Sequence, residues 1–369
     1  MADDSTSLGS ERRAEYTGKR FRIGMIGCGG ISKVHIDAYK DIPEVEIVAA
    51  CDIIPERMEH VRKECGLAPE QCFTDYEVMI REVKMDGVDI CTPNGVHCAP
   101  AVAAANAGCH VFVEKPMAIS VEQAEQMVAA AKANNVKLAV GFQNRYRELT
   151  DFLTRARDVG ELGEIMYVRV QALRRRGIPP WGDFTNKAIS GGGPLIDIGV
   201  HMIEVAHEFM GAPKPVAVSA NTWSYIGTKP CETECVWGKW DHTKNNVEDL
   251  AIAQVRFENG AIMQIEAAFA AHVKEEVRNF TFMGTKGGGQ WSPAVIYTDQ
   301  AGTMVDIVPN YLPDKQNWHI LFGEKLRNWV HGAMYDKPLR ASGEAGLAVQ
   351  KILNGVYESA AAGREVKIE

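Results

Sequence analysis

Phe21-Arg-Ile-Gly-Met-Ile-Gly-Cys-Gly-Gly-Ile-Ser32 decides the fold. Phe21 to Ile26 reads as a buried strand, Gly27-Cys-Gly-Gly-Ile-Ser32 as a glycine-rich turn, and Lys33 to Lys40 as the helix that follows. Strand, turn and helix in that order suit a dinucleotide pyrophosphate. Gly27 and Gly29 let the backbone turn tightly and come close to the phosphates, whose charge the helix-start amides and dipole stabilise. Gly30 and Ile31 complete the expected pyrophosphate turn, and Ser32 stands where the fingerprint usually has glycine or alanine. The next strand, Val45 to Asp52, ends in an acid where such a site holds the adenosine ribose hydroxyls. Asp52 selects NAD, because a 2′-phosphate would meet like charge; Arg57, close in sequence, keeps NADP as the lesser option.

Outward from this unit the strand–helix rhythm continues. Helices are expected over Pro55–Cys65, Thr74–Glu82, His97–Ala107 and Val121–Asn134, and strands over Val88–Cys91, His110–Val113 and Lys137–Phe142. Alternation of this kind makes a doubly wound parallel sheet. From Glu164 the pattern changes to long β-prone runs, Glu164–Ala172, Val216–Tyr225, Leu250–Phe257, Ala261–Ala270 and Val277–Met283, with turns such as Glu258-Asn-Gly260. These predict a large, mostly antiparallel open sheet, closed by helices over Trp318–Met334 and Gly343–Ala361. The expected fold class is therefore α/β. A flexible tail (1–20) leads into a Rossmann dinucleotide-binding domain (21–143) and a substrate-binding and oligomerisation domain (144–369).

Composition agrees. A chain of 369 residues is longer than one core usually supports. Its 40 Lys and Arg against 48 Asp and Glu leave a net charge of −8, which argues against a nucleic-acid partner. No apolar run approaches the roughly 20 residues of a membrane span. Arg12-Arg13 lacks the apolar stretch of a twin-arginine signal, so a cytoplasmic location is expected. Seven of nine cysteines fall in the amino-terminal half, several within apolar strands where cysteine acts as a small hydrophobe. Cys231, Cys235 and His242 do not complete a four-ligand zinc set, and no metal site is expected.

Two clusters carry chemistry. Glu114-Lys115-Pro116 follows the strand His110–Val113 and so lies at a carboxyl strand end, where open α/β sheets bind ligands. Gly191-Gly-Gly-Pro-Leu-Ile-Asp197-Ile-Gly-Val-His201 sets an acid and a base four positions apart inside a helix, on one face. Oxidation of a secondary alcohol needs a cation beside the nascent alkoxide and a base for its proton. Lys115 supplies the first and neutral His201 the second, with Asp197 orienting the ring or raising its basicity. The bland alternatives are an exposed strand-end lysine and a helix-capping aspartate. Weaker candidates for sugar contact are Arg174, Trp181 and Phe184, which lead into the glycine loop, and Asn144 and Arg145 after the last Rossmann strand. His97 is a candidate for cofactor contact.

Gly27-Cys-Gly-Gly-Ile-Ser32, Cys91-Thr-Pro-Asn94-Gly-Val-His97, Glu114-Lys115-Pro116 and Asp197-Ile-Gly-Val-His201, in this order and spacing, resemble the Gfo/Idh/MocA family of sugar and inositol oxidoreductases. The resemblance runs from about Phe21 to the carboxyl terminus. It implies an NAD(P)-binding Rossmann domain and a second domain whose open sheet packs on a partner subunit, hence a homo-oligomer. It also implies Lys115 near the reacting hydroxyl, His201 as acid/base, Asp197 supporting it, Asn94 and Glu114 near the nicotinamide, and Thr92 and Pro93 in the cofactor-facing turn. Details around Gly177-Ile-Pro-Pro-Trp181 and Asp183-Phe-Thr-Asn look similar to members that oxidise the 3-hydroxyl of glucosides, including C-glycosides, some of which keep NAD tightly bound. The leading expectation is NAD-dependent oxidation at C3 of a glucoside to the 3-keto sugar. Inositol dehydrogenation, keto-sugar reduction and a non-catalytic dinucleotide sensor are the alternatives.

Overall fold

The computed structural model describes residues 18–312 and 318–368; most of the expected flexible tail, up to residue 17, lies outside the described residues. The first unit alternates β1 (Phe21–Ile26), α1 (Gly30–Tyr39), β2 (Val45–Cys51), α2 (Pro55–Cys65), β3 (Cys72–Phe73), α3 (Tyr76–Glu82), β4 (Gly87–Ile90), α4 (Cys98–Asn106), β5 (His110–Val113), α5 (Val121–Ala133) and β6 (Leu138–Val140). All pairings are parallel, in the order β3-β2-β1-β4-β5-β6. Strands β1, β4 and β5 are apolar without alternation because helices cover both faces. The order reverses between β1 and β4, so the crevice at their carboxyl ends is where a ligand enters. Helix α1 starts three residues earlier than expected. Ser32 is fully buried and donates to the Gly29 carbonyl at 2.7 Å, so the turn tightens directly into helix.

The second unit contains α6 (Glu148–Asp158), β7 (Ile165–Leu173), α7 (Lys187–Ser190), α8 (Val200–Phe209), β8 (Pro215–Trp223), β9 (Leu250–Phe257), β10 (Ile262–Ala268), β11 (Val277–Gly284), β12 (Gly287–Gln290), β13 (Val295–Gln300), β14 (Thr303–Ile307), α9 (Trp318–Tyr335), α10 (Gly343–Ala362) and β15 (Val366–Lys367). Nine strands run β14-β13-β12-β11-β7-β10-β9-β8-β15, antiparallel except for the β7–β10 pair. Along β7, Val168, Val170 and Ala172 are buried beneath α8, while Arg169 on the other face pairs with Glu266 of β10 at 2.6 Å. Strands β12 to β14 were not expected from the sequence. Gly287-Gly-Gly289 carries no β-branched signal, yet glycine is what fits there, since a Cβ on Gly289 would lie 2.2 Å from the Val295 carbonyl.

Helix α9 falls within the stretch 144–369, but it packs under the Rossmann sheet. Phe322, Leu326, Trp329 and Val330 join the core formed by Phe21, Ile23, Met25 and Phe112. Trp329 is fully buried, edge-on to Phe21 (centroids 5.4 Å) and tilted against Phe112 (5.6 Å). The chain therefore returns to the first unit after building the second, and the cut after residue 143 does not separate two independent cores. Trp329→Ala should lower unfolding stability by about 3–5 kcal/mol in denaturant titration, with the loss reported by probes in the nucleotide-binding half.

Candidate active site

The turn after β1 is shaped by its neighbours. Gly27 has φ +88°, and a Cβ there would lie 2.7 Å from the Cys91 and Thr92 backbone. Gly29 and Gly30 face open space, with nothing within 4 Å of a Cβ. Helix α1 has no side-chain cap and no acid in its first turn, leaving its first amides for an anion. The Thr92 hydroxyl, beside this turn, is enclosed without a partner. Asp52 is buried at the end of β2, its oxygens accepting from Cys28 N (2.8 Å) and Ile54 N (2.9 Å). It thus ties the glycine turn to the β2 end while each oxygen keeps a lone pair for a ribose hydroxyl. Open glycines, uncapped amides, an orphaned hydroxyl and a terminal carboxylate fit a dinucleotide.

The second wall begins at Gly191-Gly-Gly193. Gly191 has φ +84°, and Cβ atoms on Gly192 and Gly193 would overlap the Tyr357 hydroxyl and the Glu248 carbonyl. The Glu248 carboxylate accepts from Gly193 N (2.9 Å) and Leu195 N (3.3 Å) and from the Tyr357 hydroxyl (2.9 Å), so it caps the helix that follows. Leu195–Gly199 is one turn of π-helix leading into α8, where a regular α-helix was expected. The i→i+5 register removes the stacking that four-residue spacing gives in an α-helix.

Lys115, at the end of β5, crosses to this turn. Its Nζ donates to the Asp197 carbonyl at 2.8 Å and the Asp197 carboxylate at 3.0 Å, with both side chains largely enclosed. The Asp197 carboxylate is therefore engaged by Lys115 and does not orient the imidazole as expected. His201 is buried, and its Nδ1 has no hydrogen-bond partner. Burial, with the Lys115 and Arg278 cations, holds the imidazole well below its ordinary pKa. His201 is thus a buried imidazole within electrostatic reach of the Lys115 ammonium, which the other half of the chain presents.

Asn144 donates to the His201 carbonyl at 3.2 Å and lines a cavity of about 180 Å³ with Gln143, Arg147, Met202, Arg278 and Trp291. Gln143 Oε1 is enclosed there without a partner. Arg278, opposite Ala172 in the sheet, reaches this cleft from β11, and no sequence pattern marked it. Arg174 lies within electrostatic reach of Asp197 and stacks on Trp237 at 4.0 Å.

Several of the expected site residues have partners within the chain. Arg145 is buried, pairs with Glu204 at 2.7 Å and donates to the Arg340 carbonyl at 2.6 Å, so it ties α8 to the segment that leads into α10. His97 is fully buried with its nitrogens on the Pro116 (2.9 Å) and Thr92 (2.8 Å) carbonyls, so it joins two turns. Asn94 donates to the Ser190 carbonyl (2.9 Å), clasping the cofactor-side turn to α7. The Glu114 carboxylate is turned into the protein, onto His35 and Lys325. Trp181 stacks on Trp237 (centroids 5.7 Å), and Phe184 lies over Gly182. Pro93 is exposed and Ile31 half-buried at the crevice mouth. Cys231 and Cys235 each point to a nearby carbonyl, of Thr233 and Gly238.

A family model described as an oxidoreductase family with an NAD-binding Rossmann fold matches residues 21–142, and one described as the GFO/IDH/MocA C-terminal domain matches residues 152–289. D-glucoside 3-dehydrogenase of Escherichia coli (strain K12) is 36% identical over 360 residues, covering 96% of this chain and 100% of the relative. Myo-inositol 2-dehydrogenase of Thermotoga maritima is 25% identical, covering 94% and 98%. The fold is shared with levoglucosan dehydrogenase in complex with NADH and levoglucosan (TM-score 0.81, 23% identity, covering 95% and 100%). With both halves matched, the chain belongs to the Gfo/Idh/MocA family of oxidoreductases, NAD-binding enzymes that act on CH–OH groups.

Proposed function

We propose that this enzyme oxidises the 3-hydroxyl of a glucoside to the 3-keto sugar with NAD, and that Lys115, Asp197 and His201 carry the reaction. The observation behind the reading is the convergence of a fixed ammonium from the end of β5 and a buried imidazole of lowered pKa from α8. The 36% identity to a D-glucoside 3-dehydrogenase points to the substrate class. Gly27, Gly29, Gly30 and Ile31 would hold the pyrophosphate, Asp52 the adenosine ribose, and Thr92 and Pro93 the crevice beyond. NAD, when bound, supplies the acceptor for the hydride that leaves the carbinol carbon.

The chain's own part follows from the geometry. Two of the three Lys115 N–H directions are spent on Asp197, which leaves one for the substrate oxygen. An ammonium there stabilises the alkoxide as charge develops on it, and it is pre-set by Asp197 before substrate arrives. His201 accepts the hydroxyl proton and can return it in the reverse direction. Arg278, Asn144 and Gln143 line the volume beside His201 and are suited to the remaining hydroxyls. The open face of the nine-stranded sheet is the surface for a second copy, giving a homo-oligomer, and an enclosed crevice suits NAD that stays bound between turnovers.

Appearance of NADH together with a 3-keto product by mass spectrometry, on mixing enzyme, NAD and an alkyl or aryl glucoside, tests the reading. Turnover of myo-inositol with none of glucosides would replace it by cyclitol oxidation. Lys115→Met should lower kcat/KM by about 10³-fold while NADH affinity, read by fluorescence titration, changes by less than about threefold. Because His201 must be neutral to act and its pKa is depressed, the acid limb of kcat/KM should lie below pH 6.5, the ordinary histidine value, with activity flat above it. A limb above pH 7 that persists in His201→Asn would remove His201 as the base.

A further inference from the structure

Beneath the Glu114–Lys115 turn lies a closed group of charges that the reaction above does not use. His35 of α1 is fully buried, its Nδ1 2.7 Å from Asp89 of β4 and its Nε2 3.0 Å from Glu114. The Tyr39 hydroxyl donates to Asp89 at 2.9 Å, and the Cys91 thiol lies 3.4 Å from both His35 and Asp89. Lys325, 1% exposed on α9, donates its ammonium to the same Glu114 oxygen and sits 3.7 Å from the Phe322 ring centroid. His35, Asp89 and Cys91 together form a metal-like donor set, but both imidazole nitrogens already face carboxylates and an ammonium supplies the second positive charge.

The ionisation states are consistent with two anions held by two cations. Burial opposes the charge on Glu114, but Lys325 and His35 outweigh it and lower its pKa. Burial likewise opposes protonation of His35, and Asp89 and Glu114 reverse it. Such a group costs desolvation and is seldom the cheapest way to fill a core. Its geometry points outward to the site. The second Glu114 oxygen accepts from Lys115 N at 3.1 Å, and a Cβ on Gly141 would lie 2.6 Å from the carboxylate, so glycine at the β6 end makes room for it. Glu114 and Lys325 also act on His201 electrostatically, with opposite signs, alongside Lys115 and Arg278.

We infer that Lys325 is a positioning residue for the oxidation proposed above: by holding Glu114, it fixes the turn that presents Lys115, and it offsets the Glu114 charge at His201. A residue 210 positions downstream of the reacting lysine, on a helix returned to the first unit, thus tunes the centre without touching substrate. The inference rests on the oxidation reading, so wild-type turnover is measured first; a wild type that oxidises no sugar overturns both.

Given turnover, Lys325→Met is compared with Lys325→Met/Glu114→Gln in steady-state kinetics from pH 5 to 9. In Lys325→Met, kcat should fall about tenfold or more with KM for the sugar within about twofold. The acid limb should move up by about half a pH unit or more, since an unscreened Glu114 favours the His201 cation. The double variant, a neutral pair of similar volume, should return the limb to its wild-type position while kcat stays low. An unchanged limb in Lys325→Met, or a lowered kcat accompanied by a proportional loss of folded protein in calorimetry, overturns the inference. If Lys325→Met does not fold, wild-type kcat in the double variant overturns it, and a low kcat with a wild-type limb supports it.

Discussion

One contact joins the two halves where the chemistry is proposed: the Lys115 ammonium on the carbonyl and carboxylate of Asp197. It spans 82 residues of sequence and two sheets, and most of the surrounding structure constrains one or other end of it. At the Lys115 end, β5 delivers the residue to the crevice, His97 pins the Pro116 carbonyl, and Glu114 is drawn inward by His35 and Lys325. At the Asp197 end, three glycines, the Glu248 cap and the π-turn set the direction of the carboxylate. An ammonium held in this way needs little reorganisation when an alkoxide forms beside it, and electrostatic catalysis depends on that economy.

Buried charge is costly, and the chain answers the cost in pairs. Arg145 with Glu204, Lys115 with Asp197, and the His35–Asp89–Glu114–Lys325 group each bring opposite charges within hydrogen-bond distance. The same arrangements join units distant in sequence: Arg145 reaches the Arg340 carbonyl, and Lys325 brings α9 against α1 and β5. Apolar burial by Trp329, Phe322 and Leu326 drives α9 onto the Rossmann sheet. Lys325 then adds register, because in this placement its ammonium meets Glu114.

Much of the fold was legible because its signals are local. The β1–turn–α1 unit, the parallel alternation to β6, and the β9–β10 hairpin across Glu258-Asn-Gly260 all follow from periodicity and turn chemistry over a dozen residues. The glycine-rich strand β12 left no β-propensity to read, because its pairing is permitted by the absence of side chains, whereas β13 and β14 do carry a β-branched signal, in Val295-Ile-Tyr-Thr298 and in Thr303, Val305 and Ile307, that was missed. Lys325 did leave a trace, as a charge among Leu321, Phe322, Leu326 and Trp329 on the apolar face of α9, but nothing local named its partner.

The residue types for the proposed site, Lys115, Asp197 and His201, and the glycine turn that fits a dinucleotide were legible in the sequence alone, because motif chemistry is carried in short spacings. Which carboxylate serves which cation was decided only in three dimensions. A regular helix would have stacked Asp197 near His201, whereas a π-turn stands there and Asp197 is engaged by Lys115; burial, with the Lys115 and Arg278 cations, holds the imidazole pKa down. Arg145, His97 and Glu114 each sit beside the crevice in sequence, but their polar atoms engage backbone and charges packed behind it. Hydrogen-bond partners at large sequence separation are a property of packing, and no local pattern encodes them.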